Sequence, residues 1–215
     1  MLHGIIDPQP GKLVFALFDG MEKLHQAECV MQPRDASALP DFIAGELAKC
    51  NHTLNDVPRW TFGAGPGSFT FLRVVAALGA GWAAGNDKIS FRCLPGALAL
   101  AKPLAPAENE KAGVIYDGRN KELLCFTVMM QNGKLVPAGE ELILNAEAAR
   151  KYFAANPMKL AASAKDAPAL QSLLGGTVDF TVTEADLSVF AADDAEFDND
   201  ADKMIYIRPA VSPKA

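Results

Sequence analysis

The sequence predicts an α/β fold in two parts, and three observations support this. Three short apolar segments separated by turn residues open the chain, which is typical of an antiparallel meander. The hydrophobic period then changes to that of an amphipathic helix, and a glycine-rich loop stands between the next apolar run and a second helix. A polar, proline-rich stretch at 102–110 precedes a further set of strands. We therefore expect one α/β subdomain at 1–102 and a smaller one at 103–215.

The first half alternates strands and helices in a regular order. Gly11 and Asp19-Gly20 supply the turns of the meander, and Pro40 is tolerated in a first helical turn. The predicted elements are strands at 2–6, 12–18 and 24–31, a helix at 37–51, a strand at 57–62, a helix at 68–85, a strand at 89–92 and a helix at 95–101. Three hairpin strands, helix, strand, helix, strand is the order of a ribonuclease-H-like unit, the building block of the actin-like ATPase superfamily.

The second half is shorter and less regular. A hairpin is predicted around Gly118-Arg119-Asn120-Lys121, and Asn132-Gly133 makes a further turn. The acidic stretch at 193–202 is predicted to be a solvated loop. The other predicted elements are strands at 114–117, 122–130, 135–136 and 159–162, and helices at 145–153 and 168–174.

The glycine-rich loop lies within residues 61–73, which read TFGAGPGSFTFLR. Its glycines permit backbone angles that side chains forbid, and Ser68 is a favoured residue at a helix N-cap. Backbone N–H groups at a helix start also suit an anion. No Lys-Ser or Lys-Thr pair follows, and the spacing of a dinucleotide site is missing. A structural turn and a contact with a ligand or partner both remain open.

The segment Gly65-Pro66-Gly67-Ser68-Phe69-Thr70, followed by Leu72-Arg73, resembles the Gly-Pro-Gly-Ser-Phe-Thr-Gly-Leu-Arg signature of the TsaB (YeaZ) family. Phe71 stands where the family has glycine. Asp117, Arg119 and Glu122 match a family hairpin, and the ending at 204–209 is similar to the family's terminal Tyr-Leu-Arg. The chain is thus identified as a divergent member of a family once described as glycoprotease-like. The resemblance implies a non-catalytic partner of TsaD in bacterial tRNA threonylcarbamoyladenosine synthesis.

Composition excludes several functional classes. A net charge of −6 and a pI near 5.1 argue against a broad phosphate-binding surface, so tRNA is expected to be reached only through a partner. The four cysteines form no Cys-x-x-Cys pair and are expected to be reduced. The N-terminus lacks the features of a signal peptide. The longest uncharged apolar stretch, at 74–85, is shorter than the ~20 residues that cross a bilayer. We expect a cytoplasmic protein with no membrane contact.

Asp7 is the first candidate for phosphate or metal chemistry because it follows an apolar strand and precedes a turn. The family usually has Asp-Thr-Ser there, whereas this chain has Asp7-Pro8-Gln9-Pro10, and two prolines remove two backbone donors. A structural turn is therefore favoured over a ligand role. The residues of a possible vestigial phosphate loop are Asp7, Gly65, Gly67 and Ser68.

No cofactor and no metal site are expected. TsaD holds its metal with a His-x-x-x-His pair, which His3, His25 and His52 do not form. The aspartates at 198, 200 and 202 imitate the start of an EF-hand loop, but Lys203 occupies the required glycine position. No local motif announces a hydrolase.

The two helices of the first half are the predicted partner surface. The resemblance implies that such proteins pair with TsaD, or with themselves, through these helices. Small residues at 76, 80 and 84, and at 77, 81 and 85, predict close helix packing. The predicted interface residues are Leu39, Phe42, Ile43, Leu47, Phe69, Phe71, Leu72, Arg73, Ala76 and Ala80.

The function expected from the resemblance is a catalytically inert scaffold. It would bind a TsaD-like subunit as a heterodimer and support threonylcarbamoyl transfer to adenosine 37 of tRNA. One alternative is an actin-like-fold ATPase or kinase that uses Asp7 and the 63–68 loop. Another is a self-associating paralogue, a homodimer with a different protein client.

Overall fold

The structure is a computed structural model that describes residues 1–30, 37–66, 69–139 and 141–205, with Phe69 described for its backbone alone. The chain divides into two units. The first comprises Met1–Gly96 and the segment from Phe190 onward, and the second is Ala97–Val189. The unit boundary therefore differs from the division expected after residue 102. The helix α3 (Ala97–Ala101) belongs to the second unit, and the chain later returns to the first.

A five-stranded sheet in the order β3-β2-β1-β4-β5 organises the first unit. The first three strands form the expected antiparallel meander, while β4 runs parallel to β1 and β5 parallel to β4. The strands are β1 (Leu2–Gln9), β2 (Lys12–Asp19), β3 (Glu22–Cys29), β4 (Arg59–Gly63) and β5 (Ser90–Leu94).

Strand β1 is longer than its apolar run predicts, and Asp7 lies inside it rather than in a turn. The pairing of β1 with β4 ends at Ile6, whereas the pairing with β2 continues to Gln9. Pro8 therefore occupies a part of the strand with one open edge, which is where sheets tolerate proline. The turn itself falls at Pro10-Gly11, where Gly11 has a φ of +80°.

Two helices, α1 (Leu39–Lys49) and α2 (Phe69–Gly85), share one hydrophobic core with the sheet. The centre of this core is Trp60, which is fully buried and whose ring centroid lies 4.7 Å from that of Trp82 on α2. Helix α2 lies close to the sheet at Gly79, because a Cβ there would come within 2.2 Å of the Phe62 ring. Both helices were expected, α1 from its hydrophobic period and α2 from the glycine-rich loop and the run of small residues that follows it.

The second unit contains a six-stranded sheet in the order β11-β10-β6-β7-β8, with β9 also paired to β7. Strands β8 and β9 pair with opposite halves of β7. The strands are β6 (Lys111–Asp117), β7 (Glu122–Gln131), β8 (Lys134–Pro137), β9 (Leu142–Asn145), β10 (Lys159–Ala162) and β11 (Thr181–Val182). The remaining helices are α4 (Ala146–Ala155), α5 (Ala167–Leu174) and α6 (Ser188–Ala192).

The second unit repeats the connectivity of the first. Strands β6 and β7 correspond to β1 and β2, β8 and β9 together to β3, and β10 and β11 to β4 and β5. Helices α4, α5 and α6 correspond to α1, α2 and α3. Helix α5 has 8 residues against 17 in α2, so the second copy is reduced. This confirms the predicted actin-like, ribonuclease-H-like α/β fold with two related parts. Strands β9 and β11 and helix α6 were not predicted.

The four cysteines carry free thiols. Cys93 and Cys125 are buried, and burial raises the pKa of each to about 12, so neither thiol ionises readily near neutral pH. Within the described residues, no helix combines the length and the apolar character needed to cross a bilayer.

Candidate functional site

The Asp7 carboxyl lies at the end of β1 against two glycines. Its side chain is 1 % exposed, and Gln9 Nε2 donates a hydrogen bond of 2.9 Å to Asp7 Oδ2. A Cβ at Gly63 on β4 would meet Asp7 Oδ1 at 1.8 Å, and one at Gly96 would meet it at 3.1 Å. The parallel pairing of β1, β4 and β5 brings these positions to one edge of the sheet.

This environment fits neither a phosphate nor a metal ion at Asp7. Burial raises the pKa of Asp7 to about 6, and the hydrogen bond from Gln9 offsets part of that rise. No positive group among the described residues contributes to this pKa, and Pro8 and Pro10 have no N–H to offer an anion. The carboxyl is packed against backbone rather than open to a ligand.

The glycine-rich loop is fastened to the end of β5. Gly65 has a φ of +102°, and its carbonyl accepts a hydrogen bond of 2.9 Å from Gly96 N–H. Ala64 donates to the Leu94 carbonyl at 2.7 Å and accepts from Ile205 N–H at 2.8 Å. Gly67 and Ser68, the other expected members of a phosphate loop, lie outside the described residues. The loop is thus hydrogen-bonded to Leu94 and Gly96, and a Cβ at Gly96 would meet Asp7 Oδ1 at 3.1 Å.

The predicted interface residues divide into core and surface. Phe42 and Ala76 are half-buried, Arg73 and Ala80 are exposed, and the side chain of Phe69 lies outside the described part of the chain. Five of the predicted residues are buried in the first unit's own core and so offer no surface to another molecule: Leu39, Ile43, Leu47, Phe71 and Leu72. An amphipathic pattern marks the apolar face of a helix, and here that face is turned to the sheet.

The exposed faces of α1 and α2 consist largely of small residues. Among the described residues, no atom would lie within 4 Å of a Cβ at Gly45 or Gly81, so packing within this part of the chain requires neither glycine. Glycine inside a helix costs about 1 kcal/mol relative to alanine. We call the following exposed set the small-residue surface: Ala44, Gly45 and Ala48 on α1, and Ala77, Ala80, Gly81 and Ala84 on α2.

Helix α4, the counterpart of α1 in the second unit, has the charged exterior expected of a solvent-facing helix. Its exposed residues include Glu147, Arg150 and Lys151, and Lys151 Nζ forms an ion pair of 2.7 Å with Glu147. On α2, by contrast, Arg73 is the only charged residue between Phe69 and Gly85. The part of the small-residue surface on α2 is therefore unlike the charged exterior of α4.

Arg92 on β5 is a buried anchor that the sequence did not single out. Its guanidinium donates to the carbonyl oxygens of Phe190, Asp193 and Ala195 at 2.6, 3.1 and 2.6 Å. The ring of Phe197 lies over the same guanidinium, 4.3 Å from Cζ to the centroid. Arg92 thereby fastens the segment that returns to the first unit.

A hydrogen-bonded chain runs from Arg92 across the sheet to β1. Arg92 Nε donates to Thr61 Oγ1 at 2.9 Å, and Thr61 Oγ1 lies 2.8 Å from His3 Nε2. Burial, together with the charges of Arg92 and Arg59, lowers the pKa of His3 to about 3. The imidazole is therefore neutral near pH 7, and the Thr61 hydroxyl is placed to donate to it. All three side chains are buried, so this cluster is structural.

The described residues contain no group of three His, Cys, Asp or Glu side chains that could hold a metal ion. His25 Nε2 lies 2.7 Å from Glu46 Oε2, far along the chain from the His3 cluster. In the acidic run at the end, Asp198 pairs with Lys203. These residues do not form a site that could hold the metal ion of a threonylcarbamoyltransferase, so we derive no metal-dependent reaction step.

The second unit has a cleft of about 820 Å³ beside the β6–β7 hairpin. Three successive non-glycine residues of this hairpin, Arg119, Asn120 and Lys121, have φ values of +59°, +51° and +63°. The predicted hairpin is thus present, with an unusual turn. The cleft is lined by Asp117, Arg119, Asn120, Lys121, Glu122, Asn145, Ala146, Glu147, Ala169, Ser172 and Leu173.

Sequence comparison finds one family. Residues 30–202 match the profile of the family described as "TsaD: tRNA N6-adenosine threonylcarbamoyltransferase". No curated protein matches the chain significantly.

Among solved structures, two from Pseudomonas aeruginosa share the fold. One is an uncharacterized protein with similarity to peptidase YEAZ (TM-score 0.69, 18% identity, 88% of each chain covered). The other is YeaZ (TM-score 0.68, 18% identity, 88% of this chain and 89% of that one). The ethanolamine utilization protein EutJ from Carboxydothermus hydrogenoformans is less similar (TM-score 0.51, 12% identity, 88% and 87% covered).

Proposed function

The chain belongs to the family described as TsaD: tRNA N6-adenosine threonylcarbamoyltransferase, and from this premise we propose that it is a TsaB-like (YeaZ-like) scaffold. In this role it binds a TsaD-like subunit and supports threonylcarbamoyl transfer to adenosine 37 of tRNA without catalysing it. The contact is made by the exposed faces of α1 and α2.

The small-residue surface is the observation that carries this proposal. Gly45 and Gly81 each lower helix stability, and no contact with another described residue requires either glycine. Small residues on an exposed helix let the backbone of a second helix approach closely. The two helices share one core and one side of the sheet, so both can present their small residues to the same partner. A standard interface buries ~800 Å² on each partner.

Three further features support a scaffold over an enzyme. Asp7 is buried and packed against Gly63, which leaves no open carboxylate at the position where an ATPase of this fold would need one. The described residues hold no metal-ligating group of three. The net charge of −6 suits a protein that meets tRNA through its partner rather than directly.

The test is complex formation with the TsaD-like protein of the same genome. Purified chain and partner are mixed and resolved by gel filtration with light scattering. We expect a heterodimer, and we expect Ala80→Glu to abolish it, because a charge would be buried at the centre of the interface without a counter-charge. Ala154→Glu is the matched control, since Ala154 is also an exposed helical alanine but lies on α4.

Three outcomes would contradict the proposal. The first is the absence of any complex, with tRNA modification intact in a deletion strain. The second is a complex that Ala80→Glu leaves unchanged. The third is a homodimer that persists in the presence of the TsaD-like protein, which would instead support the self-associating paralogue.

The ATPase or kinase alternative has its own measurement. Calorimetric titration with ATP and magnesium is expected to give no heat, because Asp7 is unavailable. Saturable binding that Asp7→Asn removes would favour the enzyme over the scaffold.

A further inference from the structure

We propose that the cleft of the second unit binds a small phosphate-bearing molecule through Arg119 and Lys121. The proposal goes beyond the scaffold function and depends on different residues in a different unit. It rests on the charges that line the cleft, on their spacing in the hairpin and on the walls opposite them.

The two cations are unpaired while the carboxylates around them are engaged. In the described part of the chain, the side chains of Arg119 and Lys121 form no ion pair or hydrogen bond. Asp117 Oδ1 accepts from Arg119 N–H at 2.9 Å, and Glu147 is paired with Lys151 at 2.7 Å. Glu122 is engaged as well. The guanidinium of Arg119 and the ammonium of Lys121 are therefore available to a ligand, and Glu147 has its own cation in Lys151.

The hairpin holds these cations on one short turn. Gly118 N–H donates to the Glu122 carbonyl at 3.0 Å, and Glu122 N–H donates to the Arg119 carbonyl at 3.0 Å. These two bonds close the loop so that a guanidinium, an amide and an ammonium come from three successive residues, all of which line the cleft. A phosphate group has several oxygens and can accept from all three, whereas a carboxylate has two.

The opposite walls indicate a ligand larger than phosphate alone. Ala146, Ala169 and Leu173 contribute apolar surface to the cleft. Its volume of about 820 Å³ lies within the range of small-molecule sites. The ligand class that fits is a phosphate monoester with an apolar or planar body, which places its phosphate at the hairpin and its body against the helices.

The equivalent hairpin of the first unit lacks this arrangement. Its turn is formed by Pro10 and Gly11, and the nearest cation, Lys12, pairs with Glu28 at 2.6 Å. The repeated fold thus provides an internal comparison, in which one hairpin carries free cations beside a cleft and the other does not.

The experiment is a titration of the full chain, labelled with ¹⁵N, followed by NMR. The probes are inorganic phosphate, adenosine monophosphate, adenosine and acetate. We expect saturable shifts of the amides of residues 119–122 and 146–147, with dissociation constants on the order of 1 mM for phosphate. The monophosphate should bind at least several-fold more tightly, and adenosine and acetate more weakly than phosphate.

The variants test whether the two cations are responsible. Arg119→Gln with Lys121→Gln should weaken phosphate binding by roughly tenfold or more. Lys111→Gln is the matched control, since Lys111 is exposed at the opposite end of β6, and it should leave binding unchanged. The proposal is overturned if no probe gives saturable shifts, or if the double variant binds like the native chain. If acetate bound as tightly as phosphate, the site would not be specific for phosphate. If adenosine monophosphate bound no more tightly than phosphate, the apolar walls would not bind the rest of the ligand.

Discussion

Asp7 and Gly63 stand side by side on β1 and β4, so close that a methyl group on Gly63 would lie 1.8 Å from Asp7 Oδ1. The same methyl group would come within 3.1 Å of the Asp7 Cα, so rotating the Asp7 side chain cannot relieve the contact fully. Because the two residues approach so closely, position 63 requires glycine. The Asp7 carboxyl in turn is buried.

Gly63→Ala is expected to destabilise the chain by about 3 kcal/mol, the cost of overpacking a buried site. The measurement is urea unfolding. In an Asp7→Ala background the same substitution should cost less, because the oxygen that it meets is gone. Gly81→Ala is the control: its Cβ enters open space, and it should stabilise the chain by up to about 1 kcal/mol. Equal costs of Gly63→Ala in both backgrounds would refute the contact.

The buried carboxyl also makes stability depend on pH. Burial raises the pKa of Asp7 from 3.8 to about 6, so between about pH 4 and pH 6 the folded chain keeps a proton that the unfolded chain loses. Stability therefore falls as pH rises through this window and stays at the lower level above it. Asp7→Asn removes the ionisation, and it should stabilise the chain at pH 7 by about 3 kcal/mol.

Asp166 provides the comparison for this measurement. Its pKa is also raised by burial to about 6, with a hydrogen bond from Ser163 offsetting part of the rise, so it contributes a slope of the same sign. The difference between native and Asp7→Asn unfolding curves across pH 4–7 isolates Asp7. A variant whose stability follows the native curve in parallel would show that Asp7 does not titrate in this window.

The sequence was sufficient for the order of most elements, because the apolar period and the turn residues are local signals, but β9, β11 and α6 were missed. It was not sufficient to place side chains. Leu39 and Phe71 were expected at a partner surface, but both are buried in the core of the first unit. A hydrophobic pattern shows which face of a helix is apolar, but it does not show whether the chain's own sheet or a partner covers that face. Asp7 is closed off by Gly96, which lies far along the chain. Arg92 looked like an ordinary strand residue, since its carbonyl partners come about a hundred residues later.

Arg92→Met is expected to destabilise the first unit by about 3 kcal/mol, because it leaves three carbonyl oxygens and the Thr61 hydroxyl without their donor. The returning segment should loosen with it. Asn199 N–H donates to the Phe91 carbonyl at 2.9 Å, so its hydrogen exchange reports on that segment and should accelerate.

Arg59→Met serves as the comparison for Arg92→Met. The Arg59 guanidinium is exposed and lies over the Phe197 ring at 5.2 Å, which is worth less than about 1 kcal/mol at such a site. If the two variants lost similar amounts of stability, or if amide hydrogen exchange at Asn199 were unchanged in Arg92→Met, Arg92 would not be what holds the segment from Phe190 onward.

Lys121→Gly separates the conformation of the hairpin from its charge. A lysine with a φ of +63° is strained by about 1 kcal/mol, and glycine adopts the same angles freely, so the variant should be more stable by about that amount. Yet it removes one of the two cations at the cleft, so phosphate affinity should fall. Lys111→Gly is the comparison, because Lys111 lies at the start of β6 and not in a turn. This variant should lower stability. Relief of strain should raise the stability of Lys121→Gly, whereas loss of the charge should lower its phosphate affinity. A variant that loses stability would contradict the left-handed turn. A variant that gains stability but keeps its phosphate affinity would contradict the role of Lys121 in the cleft.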